Sequence, residues 1–352
     1  MINKFLNKIF QKLSPYVPGE QPSDSVFIKL NTNENPFSPP EQILRVIRDS
    51  VDESVKKYPD PLATKLRKTI GSRYKMPCEW IFAGNGSDEI LRLSIIAFSS
   101  VNEKIVFLYP SYPLYEVLTT ISDRKPCKIR LLPDFHIPDD FISCYTDCLK
   151  IIANPDSPSG LFHPVELIEE IVKKSNRVVL IDEAYVDFAE ENCLNLVKKY
   201  ENVLITRSFS KSFSLAGIRL GYCFGNPDLI SALFAIKDSY NLNRISQIAG
   251  IAAMKYYRVM QQNCNKIIKN REFLRKKLEQ LGFNIFPSSA NFLFVKLPDG
   301  QAEKIYQYLK EHKILVRYFN TPDLKDYLRI TVGSRSEIYA LLRVLKQYYG
   351  YR

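Results

Sequence analysis

Between residues 80 and 225, short apolar runs alternate with longer stretches whose apolar residues recur every three or four positions. The runs "WIFAG", "KIVFLY", "CLKIIAN", "RVVLIDEAY", "NVLITRSF" and "IRLGYCFG" predict strands, and residues 87–99 and 164–174 predict helices among them. This alternation predicts crossover units, and so an α/β fold with a mostly parallel sheet covered by helices on both faces.

Residues 228–281 read as mostly helical and include the charged stretch "NKIIKNREFLRKKLEQLG", where Gly282 suits a helix C-cap. Beyond it, "ANFLFVKL", "ILVRYF" and "YLRITVG" predict strands, with a helix over 301–312 between the first two. A smaller α+β lobe is expected there. The segment before residue 50 shows no sheet of its own and is expected to dock on that lobe. At the start, Ile2, Phe5, Leu6, Ile9, Phe10 and Leu13 repeat at helical spacing with Lys4, Lys8 and Lys12 between them. They predict a basic amphipathic helix, either an arm over a partner subunit or a helix resting on a membrane surface.

Length supports the two lobes, because 352 residues exceed what one core usually holds. A hydrophobic share of 45% and a charged share of 25% exclude a disordered tail or a fibre. The net charge of +11 is spread along the chain without a zinc-finger or basic-zipper pattern. It predicts a solvated surface biased toward anionic ligands, with no nucleic-acid partner. No apolar run reaches the ~20 residues of a spanning helix, and the N-terminus lacks a signal peptide's apolar core, so no membrane partner and a cytoplasmic location are expected. Seven cysteines form no paired framework and three histidines (136, 163, 312) stand apart, so neither disulfides nor a metal are expected.

Candidate chemistry gathers where polar residues follow apolar runs, since ligand sites of parallel sheets lie beyond the carboxyl ends of the strands. Asn154 ends one run, Asp182 and Tyr185 follow the next, and Ser208, Ser210 and Lys211 follow a third. The intervals of 28 and 29 residues suit one crossover unit each. A fourth element, "FAGNGSDEILRLSIIAF", passes from a strand through Gly84, Asn85 and Gly86 to Ser87, Asp88 and Glu89 at the start of a helix. Its free amides suit a phosphate. Glu89 replaces the third glycine of the dinucleotide fingerprint, which weakens a nicotinamide reading.

Lys211 sits among four serines in "SFSKSFSLAGIRLG". Read as the S-x-x-K of acyl-transfer enzymes, with Ser208 as nucleophile, it has neither S-D-N nor K-T-G to accompany it. An isolated exposed base would leave the strand-end polar set unexplained. A Schiff-base lysine for pyridoxal phosphate explains the set: Ser208, Ser210 and the forked donor Arg219 make an anion cradle around Lys211.

With these residues assembled, the chain resembles the fold-type I pyridoxal-phosphate aminotransferases of class I/II. "ANPDSPSG" is similar to their N-P-x-x-P-x-G loop, and "SFSKSFSLAGIRLGY" to their lysine motif. "LSPYVPGEQP", "LNTNENPFSPP", "YPDP", "AGNGSDE", "YPSYPLY", "DEAYVDF" and "LRITVGSR" resemble the histidinol-phosphate aminotransferase subfamily, over about residues 13–336.

The resemblance implies roles. Lys211 is the cofactor lysine and the acid/base for the α-proton. Asp182 pairs with the pyridine nitrogen, Asn154 and Tyr185 bond the ring's phenolic oxygen, and Tyr112 stacks on the ring, with Tyr115 the lesser candidate. Gly86, Ser87, Ser208, Ser210 and Arg219 bind the phosphate, joined by Tyr58 from a neighbouring subunit of a homodimer, and Asp88 is a further cofactor-binding residue. Arg317 and Arg329 grip the substrate's phosphate or the carboxylates of glutamate, with Asn154 nearby, and Tyr16 and Asn33 close the site. Residues 1–25 form an arm, 49–257 the large cofactor-binding domain, and 26–48 with 258–352 the small substrate-gripping domain. The implied reaction is ping-pong transamination between L-histidinol phosphate and 2-oxoglutarate in histidine biosynthesis. An aromatic-amino-acid aminotransferase or a threonine-phosphate decarboxylase would reuse every cofactor residue. A basic binding protein with a relic fold would be expected to lack Lys211 or Asp182.

Overall fold

In the computed structural model, described for residues 2–7, 9, 13, 18–22, 26–297 and 300–350, the apolar runs fold as strands. A short strand β1 (Ile28–Leu30) comes first. It is followed by β2 (Ile81–Gly84), β3 (Lys104–Tyr109), β4 (Lys125–Arg130), β5 (Leu149–Ala153), β6 (Val179–Asp182), β7 (Val203–Ser208) and β8 (Gly221–Gly225). Among the described residues, β2 to β8 form one sheet in the order β2-β8-β7-β6-β5-β3-β4. Only β8 runs against its neighbours; the other pairs are parallel.

Successive side chains of a strand point to opposite faces, and here both faces are apolar. Val179 and Ile181 of β6 enter one core, Leu180 the other. The helices Gly86–Phe98, Leu114–Ile121 and Pro227–Ile236 cover the Leu180 side through Ile90, Tyr115 and Ile230. Thr64–Tyr74, Val165–Lys174 and Arg244–Lys255 cover the other side through Leu66, Ile168 and Ala253. Burying each such Leu or Ile is worth roughly 1.5–3 kcal/mol.

The remaining strands, β9 (Asn284–Ile285), β10 (Phe292–Lys296), β11 (Ile314–Tyr318) and β12 (Tyr327–Thr331), form a second sheet in the order β1-β11-β12-β10-β9. The long helix Tyr257–Glu279 leads into it and ends as the pattern predicts: Gly282 takes φ +84°, and the Phe283 N–H closes on the Leu278 carbonyl at 3.1 Å. Across the junction between the lobes, Arg271 of that helix donates to the carbonyls of Phe188 and Ala290, at 3.3 and 2.9 Å.

Three features differ from expectation. The segment before residue 50 does more than dock: β1 joins the small sheet as an edge strand, with Ile28 opposite Ile314. Three residues are too few to show a period. Strand β4, "KPCKIR", was not anticipated because it is a half-exposed edge strand containing Pro126, and proline is tolerated only at such edges. At the N-terminus, the described residues hold a 3₁₀ turn over Ile2–Phe5 and a bend at Leu6 in place of the continuous helix expected over 1–13. Among the described residues there, Phe5 is 81% and Leu6 44% exposed, so these two side chains gain little from packing that would favour a helix.

Candidate active site

The carboxyl ends of β5, β6 and β7 converge on a cleft of about 250 Å³ between the lobes. At its floor, the last residue of β6 is Asp182, only 5% exposed. Its carboxylate accepts the Tyr115 O–H at 2.8 Å and the Ala184 N–H at 3.2 Å. Burial pushes the Asp182 carboxyl up to about 6, against the Tyr115 hydrogen bond and with the help of the Asp88 charge.

Lys211 enters from the loop that follows β7. Its Nζ donates to the Thr32 carbonyl at 3.1 Å and lies 5.8 Å from the centre of the Tyr185 ring. Burial, and then the Arg329 charge, push its ammonium down to about 8. An acid shifted upward and an amine shifted downward in one cleft mark a site equipped for proton transfer near neutral pH.

One end of the cleft is built for an anion. Ser87 stands in the first turn of the helix Gly86–Phe98, facing Ser208, Ser210 and Arg219 across the sheet edge. The Ser208 Oγ accepts the Ser210 N–H at 3.0 Å, and Arg219 donates to the Ser210 Oγ at 3.4 Å and to Asp88 at 3.0 Å. The backbones are pressed together here: a Cβ at Gly221 would lie 2.5 Å from the Ser87 nitrogen. Gly86, at φ +78°, leaves room for the Arg219 guanidinium, which a Cβ would meet at 2.8 Å. Arg219 itself holds a left-handed φ of +52°, a conformation costing roughly 1–2 kcal/mol in a non-glycine residue. Tyr112 lines the cleft beside this end, its O–H 3.4 Å from Asp88.

The opposite wall comes from the small lobe. Arg317 of β11 and Arg329 of β12 stand directly opposite each other, and both line the cleft. Neither strand is at an edge of its sheet, so a pair of solvated edge-strand arginines is excluded. Like charges facing each other across a ladder repel, and an anion between them relieves that repulsion. The Arg329 guanidinium donates to the Ser157 hydroxyl at 3.2 Å and to the Asn31 carbonyl at 3.3 Å, and it packs over Phe292 and Phe319. Asn33, with φ +57°, donates to the Tyr185 phenol oxygen at 3.0 Å and is held by Thr331 and Asn291. It joins both lobes at the cleft.

Asn154 and Gly86 do not line the cleft, and Tyr58 is expected at the cleft of a partner subunit rather than at this one. Asn154 is fully buried behind it, its amide engaged in both directions with the His163 backbone, at 3.0 and 2.8 Å. Gly86 leaves the space that the Arg219 guanidinium occupies. Tyr58 is 80% exposed elsewhere, stacked on Tyr240. Tyr16 lies outside the described residues. Other residues at the cleft were not assigned these parts from sequence. Tyr115, in the first turn of the helix Leu114–Ile121 and three residues after Tyr112, holds Asp182 rather than presenting a ring face. Ser157 and Thr32 reach Arg329 and Lys211 from loops, where no periodicity marks a position. Among the described residues, no group of His, Cys, Asp and Glu is placed to hold a metal ion.

Residues 25–345 match the family described as aminotransferase class I and II, and the chain belongs to that family. Histidinol-phosphate aminotransferase 1 of Nostoc sp. is 41% identical to it over 347 residues, 98% of each chain. Histidinol-phosphate aminotransferase of Clostridium botulinum is 40% identical over 353 residues, 98% of this chain and 99% of its own. The crystal structure of histidinol-phosphate aminotransferase from Sinorhizobium meliloti in complex with pyridoxal-5'-phosphate shares the fold, with a TM-score of 0.86 over 97% of this chain and 98% of that one at 23% identity. The fold is therefore that of the fold-type I aminotransferases.

Pyridoxal phosphate fits the donors of this cleft. Ser87, Ser208, Ser210 and Arg219 suit its phosphate, the buried acid Asp182 suits its ring nitrogen, and Lys211 suits its aldehyde.

Proposed function

We propose that the chain is a pyridoxal-phosphate-dependent transaminase exchanging an amino group between L-histidinol phosphate and 2-oxoglutarate, giving imidazole-acetol phosphate and L-glutamate. It would serve histidine biosynthesis in the cytoplasm. The observation that carries this reading is one cleft with Lys211 and Asp182 at its floor and the facing pair Arg317 and Arg329 on its wall.

Bound in the cleft, pyridoxal phosphate supplies an electron-poor ring that takes up the electron pair left when the substrate's α-proton departs. The chain's residues do the rest. Lys211 Nζ, with its affinity for protons lowered to about 8, takes the α-proton and returns it. Asp182, steadied by Tyr115, would hold the proton of the ring nitrogen in place. Ser87, Ser208, Ser210 and Arg219 would hold the cofactor phosphate, Tyr112 would lie beside the ring, and Tyr185, itself bonded by Asn33, would offer it a hydrogen bond. Arg317 and Arg329 bind the phosphate of one substrate and a carboxylate of the other, two anions exchanged at one doubly charged wall.

The large domain in this reading is 49–257, and 26–48 with 258–352 closes over the substrate. A homodimer is part of the proposal. Tyr58, Val55, Leu62 and Val51 are exposed, an apolar face suited to a second copy that would bring Tyr58 to the partner's cofactor phosphate. Among the described residues no helix is long and apolar enough to cross a membrane.

Steady-state rates with L-histidinol phosphate, phenylalanine and threonine phosphate test the substrate. The reading predicts the highest kcat/KM for histidinol phosphate. A clear preference for phenylalanine would assign an aromatic-amino-acid aminotransferase, and carbon dioxide release from threonine phosphate would assign a decarboxylase.

A further inference from the structure

The segment Asn31–Asn35 lies against the cleft, and its first four residues line it; Asn35 does not. The Asn35 amide nitrogen instead donates to the backbone carbonyls of Lys211 at 3.0 Å and Ser212 at 3.1 Å. Its Oδ1 accepts the Phe37 N–H at 3.0 Å. A carboxamide offers two N–H donors, and both are spent on the two peptide groups that follow the Lys211 and Ser212 α-carbons. The same segment holds the far end of the lysine, since Thr32 accepts its Nζ at 3.1 Å. From below, the Ser212 hydroxyl is tied to the Asp187 carboxylate. Asn35 precedes Pro36, which confines its backbone to extended conformations and makes it a firm anchor.

We propose that Asn35 is a positioning residue for Lys211: its amide fixes the origin from which the lysine side chain reaches into the cleft, and it ties that origin to the segment carrying Thr32 and Asn33. Four methylenes separate the Lys211 α-carbon from the reacting amine, so a small turn of the backbone there becomes a larger displacement at Nζ. Proton transfer is sensitive to displacements of about 1 Å, whereas Arg329 keeps its contacts to Ser157, Phe292 and Phe319, and the Asn31 carbonyl that it also meets is backbone, which loss of the Asn35 amide does not remove. Removing Asn35 therefore acts on the chemical step and spares binding.

This inference rests on Lys211 being the cofactor lysine, and the experiment separates the two ideas. Wild type, Asn35→Ala and Asn35→Asp are compared as holoenzymes for kcat and glutamate KM. The same proteins, freed of cofactor, are compared for the rate at which acetic anhydride modifies Lys211, followed by peptide mass spectrometry with exposed Lys125 as internal reference. Asn35→Ala should lower kcat about tenfold and change glutamate KM less than about twofold. Asn35→Asp, which turns a carboxylate toward two carbonyl oxygens, should lower kcat further. Both should raise the Lys211 modification rate severalfold relative to Lys125.

A folded Asn35→Asp with unchanged kcat and unchanged labelling would overturn the inference. So would a glutamate KM that rises as much as kcat falls, or a lowered melting temperature as the only change. Should Asn35→Ala fail to fold, Asn35→Gln replaces it; that variant keeps both N–H groups one methylene further out, and a reduced kcat at unchanged KM is again expected. If the wild type holds no cofactor at Lys211, the proposed function fails, while labelling of the cofactor-free proteins still reports whether Asn35 holds the lysine.

Discussion

Asp182 and Lys211, at the floor of the cleft, are set by the large sheet and its loops, and burial shifts each toward the other's range, to about 6 and about 8. On the small-lobe wall, Arg317 near the end of β11 and Arg329 in the middle of β12 face each other across a ladder. The floor is equipped to move protons and is held by neighbours that supply hydrogen bonds. The wall is equipped to attract charge, and an anion bound between the two guanidinium groups would offset the repulsion of its like-charge pair. One region therefore governs the chemical step and the other the choice and affinity of substrate.

Breaking the floor should have the largest effect. Lys211→Ala should abolish transamination with circular dichroism and melting temperature preserved. Asp182→Ala should lower kcat on the order of a thousandfold, since a buried ionic partner is worth roughly 3–5 kcal/mol. Near-normal turnover in Asp182→Ala would remove the acid from the account.

The pH dependence sharpens the same contrast. The Asp182 carboxyl is raised in the folded chain, so it binds more protons there than when unfolded between about pH 4 and 6. Its contribution to stability is full below that window and is lost as pH rises through it. Cofactor-free Asp182→Asn should thus gain stability relative to wild type across this window, on the order of 3 kcal/mol in urea unfolding. Asp156, raised to about 6 in the same way, is common to both proteins and cancels. Lys211 has the opposite sign: its lowered value makes stability rise with pH between about 8 and 10.5.

On the wall, Arg329→Ala should raise KM for histidinol phosphate about ten- to a hundredfold with kcat less affected, because a charged hydrogen-bonding partner is worth roughly 1.5–3 kcal/mol. Equal losses in kcat and in kcat/KM, at unchanged KM, would place Arg329 in the chemical step and erase the distinction between the two regions. The smallest effect is expected for Tyr115→Phe, which removes one hydrogen bond to Asp182 and should lower kcat a few-fold, about 1 kcal/mol.

The parallel strands were legible because their apolar runs are continuous, and Asp182, Ser208 and Lys211 were legible because they directly follow such runs. Edge strands were not. The exposed strand β4 is short of apolar residues, and β1 is three residues long. Arg329 could be singled out as a charge within an apolar strand, but its partnership with Arg317 depends on register, which a single strand does not carry. Asn154 shows the limit from the other side. It ends a strand as Asp182 does, yet its amide turns back to cap the following loop at His163. Asn35 lies 176 residues from Lys211, and no local pattern links the two.

Borohydride trapping is the most direct test of the central assignment. The purified chain is incubated with pyridoxal phosphate, reduced and digested, and the modified peptide is identified by mass spectrometry. The account predicts a visible absorbance that changes on adding glutamate, a single label at Lys211, and loss of both in Lys211→Ala. A colourless protein, or a label that persists on another lysine in that variant, would contradict it.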